Sequence, residues 1–470
     1  MKPTTGKVGR EPQGALLHRL CRHASAAALT ATVALAAPPA AQAQQLSFIR
    51  DTEIERLLND YSRPIFRAAG LGGQNIAMRI VKHDSFNAFV LDGQNVFMHT
   101  GSLMQSDTPN QVIGVIAHET GHIVGGHLAQ LRDRIARDQT KSLLIKILGI
   151  GLMVAGGGSG VSGAGSGVLV GGDQMLIRSL LTDRRAQESS ADQSGLRFLE
   201  ATRQSGQGML ETFERFAQQE YISASGTTQD AFVRSHPVAT DRLAQLRQRV
   251  AASPYANTKD PAELQLRHDL MRAKLAGYLE RPAIVMNRYR QNDQSLPARY
   301  ARTIATFFGR GIEAGLPEVD KLIRDHPKNP YFHELRADFL MRSGRARDAI
   351  APLRTALKLA GDAPLIAVRL AQALDGENDQ KSVNETIALA RQSLVKDKNS
   401  HAYRLLASGY AKQGRLAEAD LAIAEAHFLE GNLKQAKIFA QRSQRGLKNG
   451  SPEGLRAGDI VSYKVPKDAL

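Results

Sequence analysis

Five consecutive residues, His118-Glu119-Thr120-Gly121-His122, carry the strongest chemical signal in the chain. On a helix, residues i and i+4 share a face, so both imidazoles can reach one metal ion. Glu119, one residue further on, then flanks that ion and can take a proton from a bound water, which is the arrangement of metal-assisted hydrolysis. A catalytic zinc also needs a third protein ligand and an open position for water. His127 is one candidate, but it follows His118 by nine residues. At about 100° per residue, a continuous helix places it on the opposite face. It also fails the HExxHxxGxxH spacing, because position 128 is leucine, so His127 reads as structural. The better candidate is Glu188, with Asp192 one helical turn away and suited to hydrogen-bond a ligand histidine from behind. By spacing alone, Glu188 and Asp192 fit a solvated acidic face equally well.

The elements that must position these groups are legible around them. Residues 51–69 have helical apolar spacing (Ile54, Leu57, Leu58, Tyr61, Ile65, Phe66). Residues 88–91 and 95–98 flank Asp92-Gly93, a hairpin signal. Thr108-Pro109 opens the helix that runs into His118, with threonine as its cap and proline in its first turn. Gly114 and Gly121 each cost that helix about 1 kcal/mol relative to alanine, which points to close packing or room for a ligand. Residues 143–154 are apolar but too short to cross a bilayer, which takes about 20 residues. Nine of the 17 residues from 156 to 172 are glycine. This segment, 143–172, reads either as a flexible surface loop or as a mobile lid that gates substrate or touches a membrane surface. Helices are predicted from Gln174 to Gln219 and after Pro237, and residues 253–261 read as a linker.

Beyond the linker the chain repeats. Ala337, Gly344, Ala349, Leu353 and Ala356 recur 70 residues later as Ala407, Gly414, Ala419, Ile423 and Ala426. Ala371 and Leu374 fall between them, 34 residues after Ala337 and Leu340. Small residues where paired helices touch, at a period of 34, are the tetratricopeptide signature. The unit starting near Leu296 is degenerate and the one near Gly431 is truncated, as terminal units often are.

Taken with Glu188-Ser189-Ser190-Ala191-Asp192, and with Ser235-His236-Pro237 followed by Thr240 and Arg242, the HETGH string resembles the zinc peptidases that include the CAAX prenyl proteases and the heat-shock protease HtpX. The resemblance implies that His118, His122 and Glu188 bind one Zn2+, that Glu119 is the general base, and that His236 sits near the metal as an occasional fourth ligand. His236 or Arg242 could then donate to the oxyanion, and substrate would lie extended along the strand Asn95, Val96, Phe97 and Met98. Members of this type with a signal peptide in front and repeats behind imply a periplasmic endopeptidase. Its partners would be misfolded or stalled outer-membrane β-barrel proteins and the β-barrel assembly machinery. The glycine-rich stretch is longer than the resemblance leads one to expect, and ESSAD has serines where bulkier residues are common.

Composition agrees with this class. At 470 residues, 42% hydrophobic and 23% charged, the chain is globular and long enough for two or three domains. Residues 1–43 read as a signal peptide, with Arg10, Arg19 and Arg22, an apolar stretch from Ala24 to Ala37, and Ala41-Gln42-Ala43 as the cleavage site. Removing its five Lys or Arg and its one acid lowers the net charge from +15 to +11. That charge is diffuse, with no basic run interleaved with aromatics, so no nucleic-acid site is read; peripheral attraction to an anionic membrane is the contact it suggests. Cys21, the only cysteine, lies in the signal, which excludes disulfides and cysteine ligands from the mature chain. The predicted fold is mainly α with a small β-sheet: a zincin-like domain (44–253), an α-solenoid of tetratricopeptide repeats (262–445) and a tail (446–470). An alternative function is a chaperone or assembly scaffold acting through its repeats, with a latent protease.

Overall fold

The computed structural model describes residues 47–91, 93–130, 133, 171–223, 232, 236 and 240–464. The expected signal peptide, Asp92 of the hairpin, and the apolar and glycine-rich stretch up to residue 170 lie outside these.

The N-terminal half places a four-stranded sheet against helices. The sheet comprises β1 (Phe48–Ile49), β2 (Ala77–Val81), β3 (Ala88–Val90) and β4 (Asn95–His99), in the spatial order β1-β2-β4-β3. The predicted hairpin is present as an antiparallel pair, with Phe89 opposite Phe97. β4 also runs parallel to β2, with Met78 opposite Val96. The helix α1 (Thr52–Ala68) is capped by Asp51, whose side chain accepts from the Ile54 N–H at 3.0 Å. Its buried stripe is the predicted one, Ile54, Leu57, Leu58, Tyr61, Ile65 and Phe66. After the short α2 (Thr100–Gln105), Thr108 caps α3 (Pro109–Val124), the helix that carries His118 to His122. The helices expected from 174 to 219 are α4 (Gly171–Ala201) and α5 (Gln207–Ser223). The break falls at Arg203, which takes a left-handed φ of 59°. α6 (Thr240–Ala252) closes this half. Phe86, Phe213, Phe216 and Phe232 meet in its core, all fully buried. Burying each contributes about 1.5–3 kcal/mol.

α7 (Ala262–Leu279) is shared between two cores. Its Met271 and Leu275 pack with α1 and α3, while Leu270 and Ala273 pack with the helices that follow. Those are α8 (Pro282–Arg288), α9 (Leu296–Arg310) and α10 (Ile312–Asp325). An α-solenoid of paired helices continues through α11 (Pro330–Arg342) and α12 (Ala346–Ala360), α13 (Pro364–Asp375) and α14 (Gln380–Lys396), then α15 (Ser400–Lys412) and α16 (Leu416–Leu429). The repeating small residues do what their spacing implies: Ala337, Ala349, Ala356, Ala371, Ala407, Ala419 and Ala426 are buried at helix contacts. Gly344 and Gly414 occupy corresponding turns at φ +75°, a conformation that favours glycine. The stretch after 446, for which the sequence suggested no structure, forms α18 (Pro452–Ser462), which packs with α16 and α17 (Leu433–Gln444).

The residues read as a linker are anchored, since the Asn110 N–H donates to Asp260 at 2.9 Å and Ser205 donates to the Ala256 carbonyl at 2.7 Å. α7 is held by buried polar contacts as well. His268 Nε2 donates to the Ser106 carbonyl at 2.8 Å, and its Nδ1 accepts from the Tyr61 hydroxyl at 3.0 Å. Lys274 pairs with Asp51 at 2.7 Å and Glu53 at 3.1 Å. Further along, Arg50 reaches Asp397 at 3.0 Å, and Arg56 donates to the Ala360 carbonyl at 3.0 Å.

Burial lowers the His268 pKa to about 4, against an ordinary 6.5, with the Ser106 hydrogen bond opposing. A depressed folded-state value means that this contribution is whole above pH 6.5 and is lost as pH falls towards 4. The limit is about 3 kcal/mol. Urea denaturation of the full chain should therefore show the junction weakening between pH 7 and 4.5, with a smaller loss in His268→Gln. A midpoint equally pH-dependent in both proteins would contradict the role given to His268.

Candidate metal centre

α3 is gripped by glycine contacts on two sides. A Cβ on Gly121 would lie 2.6 Å from the Ala191 carbonyl oxygen of α4, and one on Gly195 of α4 would lie 3.2 Å from the α3 backbone at His118. On the α5 side, a Cβ on Gly114 would meet Met209 at 2.7 Å, and one on Gly208 would meet the Asn110 backbone at 2.5 Å. These approaches set the helix separation, so residues that α3 and α4 present to each other become immediate neighbours. The helical cost of Gly114 and Gly121 is the cost of that fit.

What meets there is a group of four, His118, Glu188 and His236 buried and His122 half-buried, with one ligand atom from each lying within 4.8 Å of all the others. His118 Nε2 is 3.1 Å from His122 Nε2, 3.2 Å from His236 Nδ1 and 3.4 Å from Glu188 Oε2. His122 Nε2 is 3.5 Å from Glu188 Oε1. His236 Nδ1 is 3.1 Å from Glu188 Oε2, while its Nε2 points at Glu119 Oε1, 3.4 Å away. The His236 ring packs on Phe232, and Phe213 meets the His118 ring edge-on.

A second layer stands behind this group. Asp192 Oδ1 lies 2.9 Å from His118 Nδ1. Arg242 donates to both Asp192 oxygens, at 2.7 and 2.9 Å, and lies 3.3 Å from Glu188 Oε2. The role of oxyanion donor expected for Arg242 does not fit this geometry. Its guanidinium is buried behind the ligand atoms and committed to two carboxylates, so it holds Glu188 and Asp192 in place. The substrate strand expected at Asn95 to Met98 also needs correction. β4 is paired along both edges, with β2 and with β3, and has no ladder groups left for a third strand. β3 is the edge strand on that side of the sheet, and it packs near α3.

His127 is not on the far side of the helix. α3 ends at Val124, and Gly126 turns the chain at φ +62°. His127 folds back, with its Nδ1 2.8 Å from His122 Nδ1. The helix is not continuous to residue 127: it stops at the Gly125-Gly126 pair, the sequence signal for that break.

The electrostatics suit a bound cation. Three ring nitrogens converge at about hydrogen-bond distance, where neutral imidazoles would oppose lone pairs. Burial opposes charge on His118, but Asp192 and Glu188 outweigh it and push its pKa up to about 9. A proton there does the work that a dication would do on binding. Burial would raise Glu188, but His236, His118 and His122 hold it well below the ordinary carboxylate range. Burial lowers His122 and His127. Glu119 is raised by burial, and its Oε1 is buried without a hydrogen bond, with His236 Nε2 3.4 Å away. Two imidazoles and a carboxylate beside a second buried carboxylate are a donor set that fits a divalent metal ion such as zinc.

Residues 49–250 match peptidase family M48. Over 389 residues, 80% of this chain and 76% of its relative, the sequence is 26% identical to Beta-barrel assembly-enhancing protease of Escherichia coli (strain K12). The protein of the same description from Yersinia pestis is 24% identical over 390 residues, with the same shares covered. Metalloprotease LoiP of Escherichia coli (strain K12) is 26% identical over 182 residues, 39% of this chain and 66% of that protein.

If the glycine contact sets the metal geometry, Gly121→Ala should lower stability by about 1–3 kcal/mol through overpacking and weaken metal binding with it. Unchanged melting temperature and unchanged metal content would show that α3 and α4 have slack.

Proposed function

We propose that this chain, a metallopeptidase carrying a family M48 domain, is a zinc-dependent endopeptidase of the bacterial periplasm that acts on outer-membrane β-barrel proteins in difficulty. The observation that carries the reading is the convergence of His118, His122, Glu188 and His236 beside the buried Glu119 Oε1, which has no hydrogen bond. His118 and His122 would hold zinc through Nε2, and Glu188 through its carboxylate. A zinc ion held there would supply Lewis acidity, bringing the pKa of water to about 7 and polarising the scissile carbonyl.

The residues of the chain do the rest. Glu119 accepts the proton of the attacking water at its buried Oε1, which no hydrogen bond occupies, and returns it to the leaving amine. Burial raises its pKa, which brings it nearer the range suited to that exchange. Asp192 orients His118 and helps fix its Nε2 lone pair towards the site. Arg242 keeps Asp192 and Glu188 charged and in place. A substrate segment would add to β3, where backbone hydrogen bonds hold an extended chain with little regard for sequence. Unfinished β-barrels expose unpaired strand edges of that kind.

His236 supports a latent form of the enzyme. Its Nδ1 lies among the ligand atoms, so as a fourth ligand it would fill the position that water needs. On displacement its ring is free to donate to the oxyanion. This favours a protein that spends part of its life as an assembly scaffold, its tetratricopeptide-type solenoid docking clients and the β-barrel assembly machinery. The periplasmic reading rests on the signal-like residues 1–43 and on the relatives' work with β-barrels. Among the described residues no helix is long and apolar enough to cross a membrane.

The test pairs metal content with cleavage. Full mature protein should hold about one zinc, and Glu188→Ala should lose it, because a ligand and its compensating charge go together. Glu119→Gln should keep the zinc and lose casein cleavage by about 10²–10⁴-fold. Zinc retained in Glu188→Ala, or cleavage retained in Glu119→Gln, would overturn the assignment. For His236→Ala, basal cleavage should rise if the fourth-ligand role dominates and fall if the oxyanion role does. Unchanged cleavage and metal affinity would remove it from the site.

A further inference from the structure

His118 and His122 stand in different surroundings behind the site. His118 is backed by a carboxylate, Asp192, at 2.9 Å, itself clamped by Arg242. His122 is backed by an imidazole, His127, at 2.8 Å between the two Nδ1 atoms. We propose that His127 is a positioning residue that fixes the tautomer and ring angle of His122 by accepting the His122 Nδ1 proton, so that His122 Nε2 offers its lone pair to the metal. The inference rests on the zinc site proposed above and adds a member to its second layer.

The local chain is built for this contact. The Gly125 N–H closes the last turn of α3 on the Gly121 carbonyl at 2.9 Å, and the Gly126 N–H bonds the Ile123 carbonyl at 3.1 Å. Gly126 at φ +62° then reverses the chain, and residues 127–130 begin a new helical turn. A Cβ at Gly125 would lie 2.3 Å from His127 Nε2 and 2.7 Å from its Cε1, so the ring lies against the backbone of that glycine. Both glycines are therefore needed, one for its positive φ and one for lacking a side chain. The turn is tied to α4, since Gln130 donates to the Gly125 carbonyl at 2.9 Å and accepts from Gln187 at 3.3 Å. The His127 ring meets the His122 ring at 78° with centroids 5.0 Å apart, an edge-on arrangement rather than a stack. His127 is itself 8% exposed.

Proton counting decides the direction of the hydrogen bond. One proton lies between the two Nδ1 atoms. His122 Nε2 faces His118 Nε2 and Glu188 and must be bare to ligate, so the single ring proton of neutral His122 is on Nδ1. His127 Nδ1 is then the acceptor. The acceptor is neutral where the one behind His118 is anionic, so the site receives one carboxylate behind its ligands rather than two. Ligand histidines are usually oriented in this way by a group on their other nitrogen, and losing that group commonly costs about 10–100-fold in metal affinity.

Two replacements of His127 separate acceptance from packing. In His127→Asn the side-chain oxygen can occupy the place of Nδ1 and accept the same proton. In His127→Leu the space is filled and the acceptor is gone. Zinc affinity is read on the full mature chain by competition with a chromophoric chelator. The melting temperature of the metal-free protein and the visible spectrum of the cobalt(II)-loaded protein accompany it. The expected result is a zinc affinity lowered about 10–100-fold in His127→Leu with an altered cobalt spectrum, and both restored towards wild type in His127→Asn. Wild-type affinity and spectrum in His127→Leu overturn the inference. So does equal weakening in both variants that follows a fall in metal-free melting temperature, which marks a packing role alone. Wild-type protein that binds no zinc overturns the proposed site as well, and so distinguishes the two failures.

Discussion

The close approach of α3 to α4 is the constraint on which the site depends. Gly121 against Ala191 and Gly195 against Ala117 and His118 bring two helices nearly to backbone contact. Only at that separation can a carboxylate 66 residues downstream of His122 reach the two imidazoles. The same approach buries four ionisable groups, whose desolvation has to be offset by mutual pairing or by a cation. Asp192 and Arg242 follow from this, since a buried carboxylate beside a histidine needs its own counter-charge. So does the His127 turn, because a helix whose flank is filled by α4 has to stop before another histidine can come round behind the ligand.

How much of this was legible depends on the range of the interaction. The HETGH helix, its Thr108 cap, the α1 stripe and the repeat period are local patterns, and the fold shows each of them. Fold class was legible for the same reason: alternating hydrophobicity appears only between 76 and 99, and helical periodicity nearly everywhere else. Register in the sheet was not legible. The hairpin was correct as a pair, but nothing between 76 and 99 says that β2 joins β4 from the other side in parallel, and that pairing removes β4 as a landing strand. In the sequence, a lone arginine after Ser-His-Pro shows no sign of the two carboxylates that occupy Arg242. Helix geometry does not carry past the Gly125-Gly126 pair, so the spacing of His127 from His118 does not give its side of the helix.

The two halves of the chain are joined more firmly than a linker reading suggests. α7 gives Met271 and Leu275 to the core beneath the site and Leu270 and Ala273 to the first solenoid layer. Lys274, buried between Asp51 and Glu53, ties the start of α1 to the same helix. Arg50 and Arg56 extend that contact to residues 360 and 397. A load on the solenoid therefore meets α1, which packs directly on α3, the helix that carries His118 and His122. This also means that a chain cut near residue 253 would expose apolar surface that α7 normally covers.

The central claim is that zinc sits where α3, α4 and the segment bearing His236 converge. Anomalous diffraction at the zinc edge from crystals of the full mature protein tests it most directly. The account predicts one strong peak within about 2.0–2.2 Å of His118 Nε2, His122 Nε2 and a Glu188 oxygen, with Glu119 alongside and unligated. A peak bonded to other residues, or one that Glu188 does not touch, would contradict it.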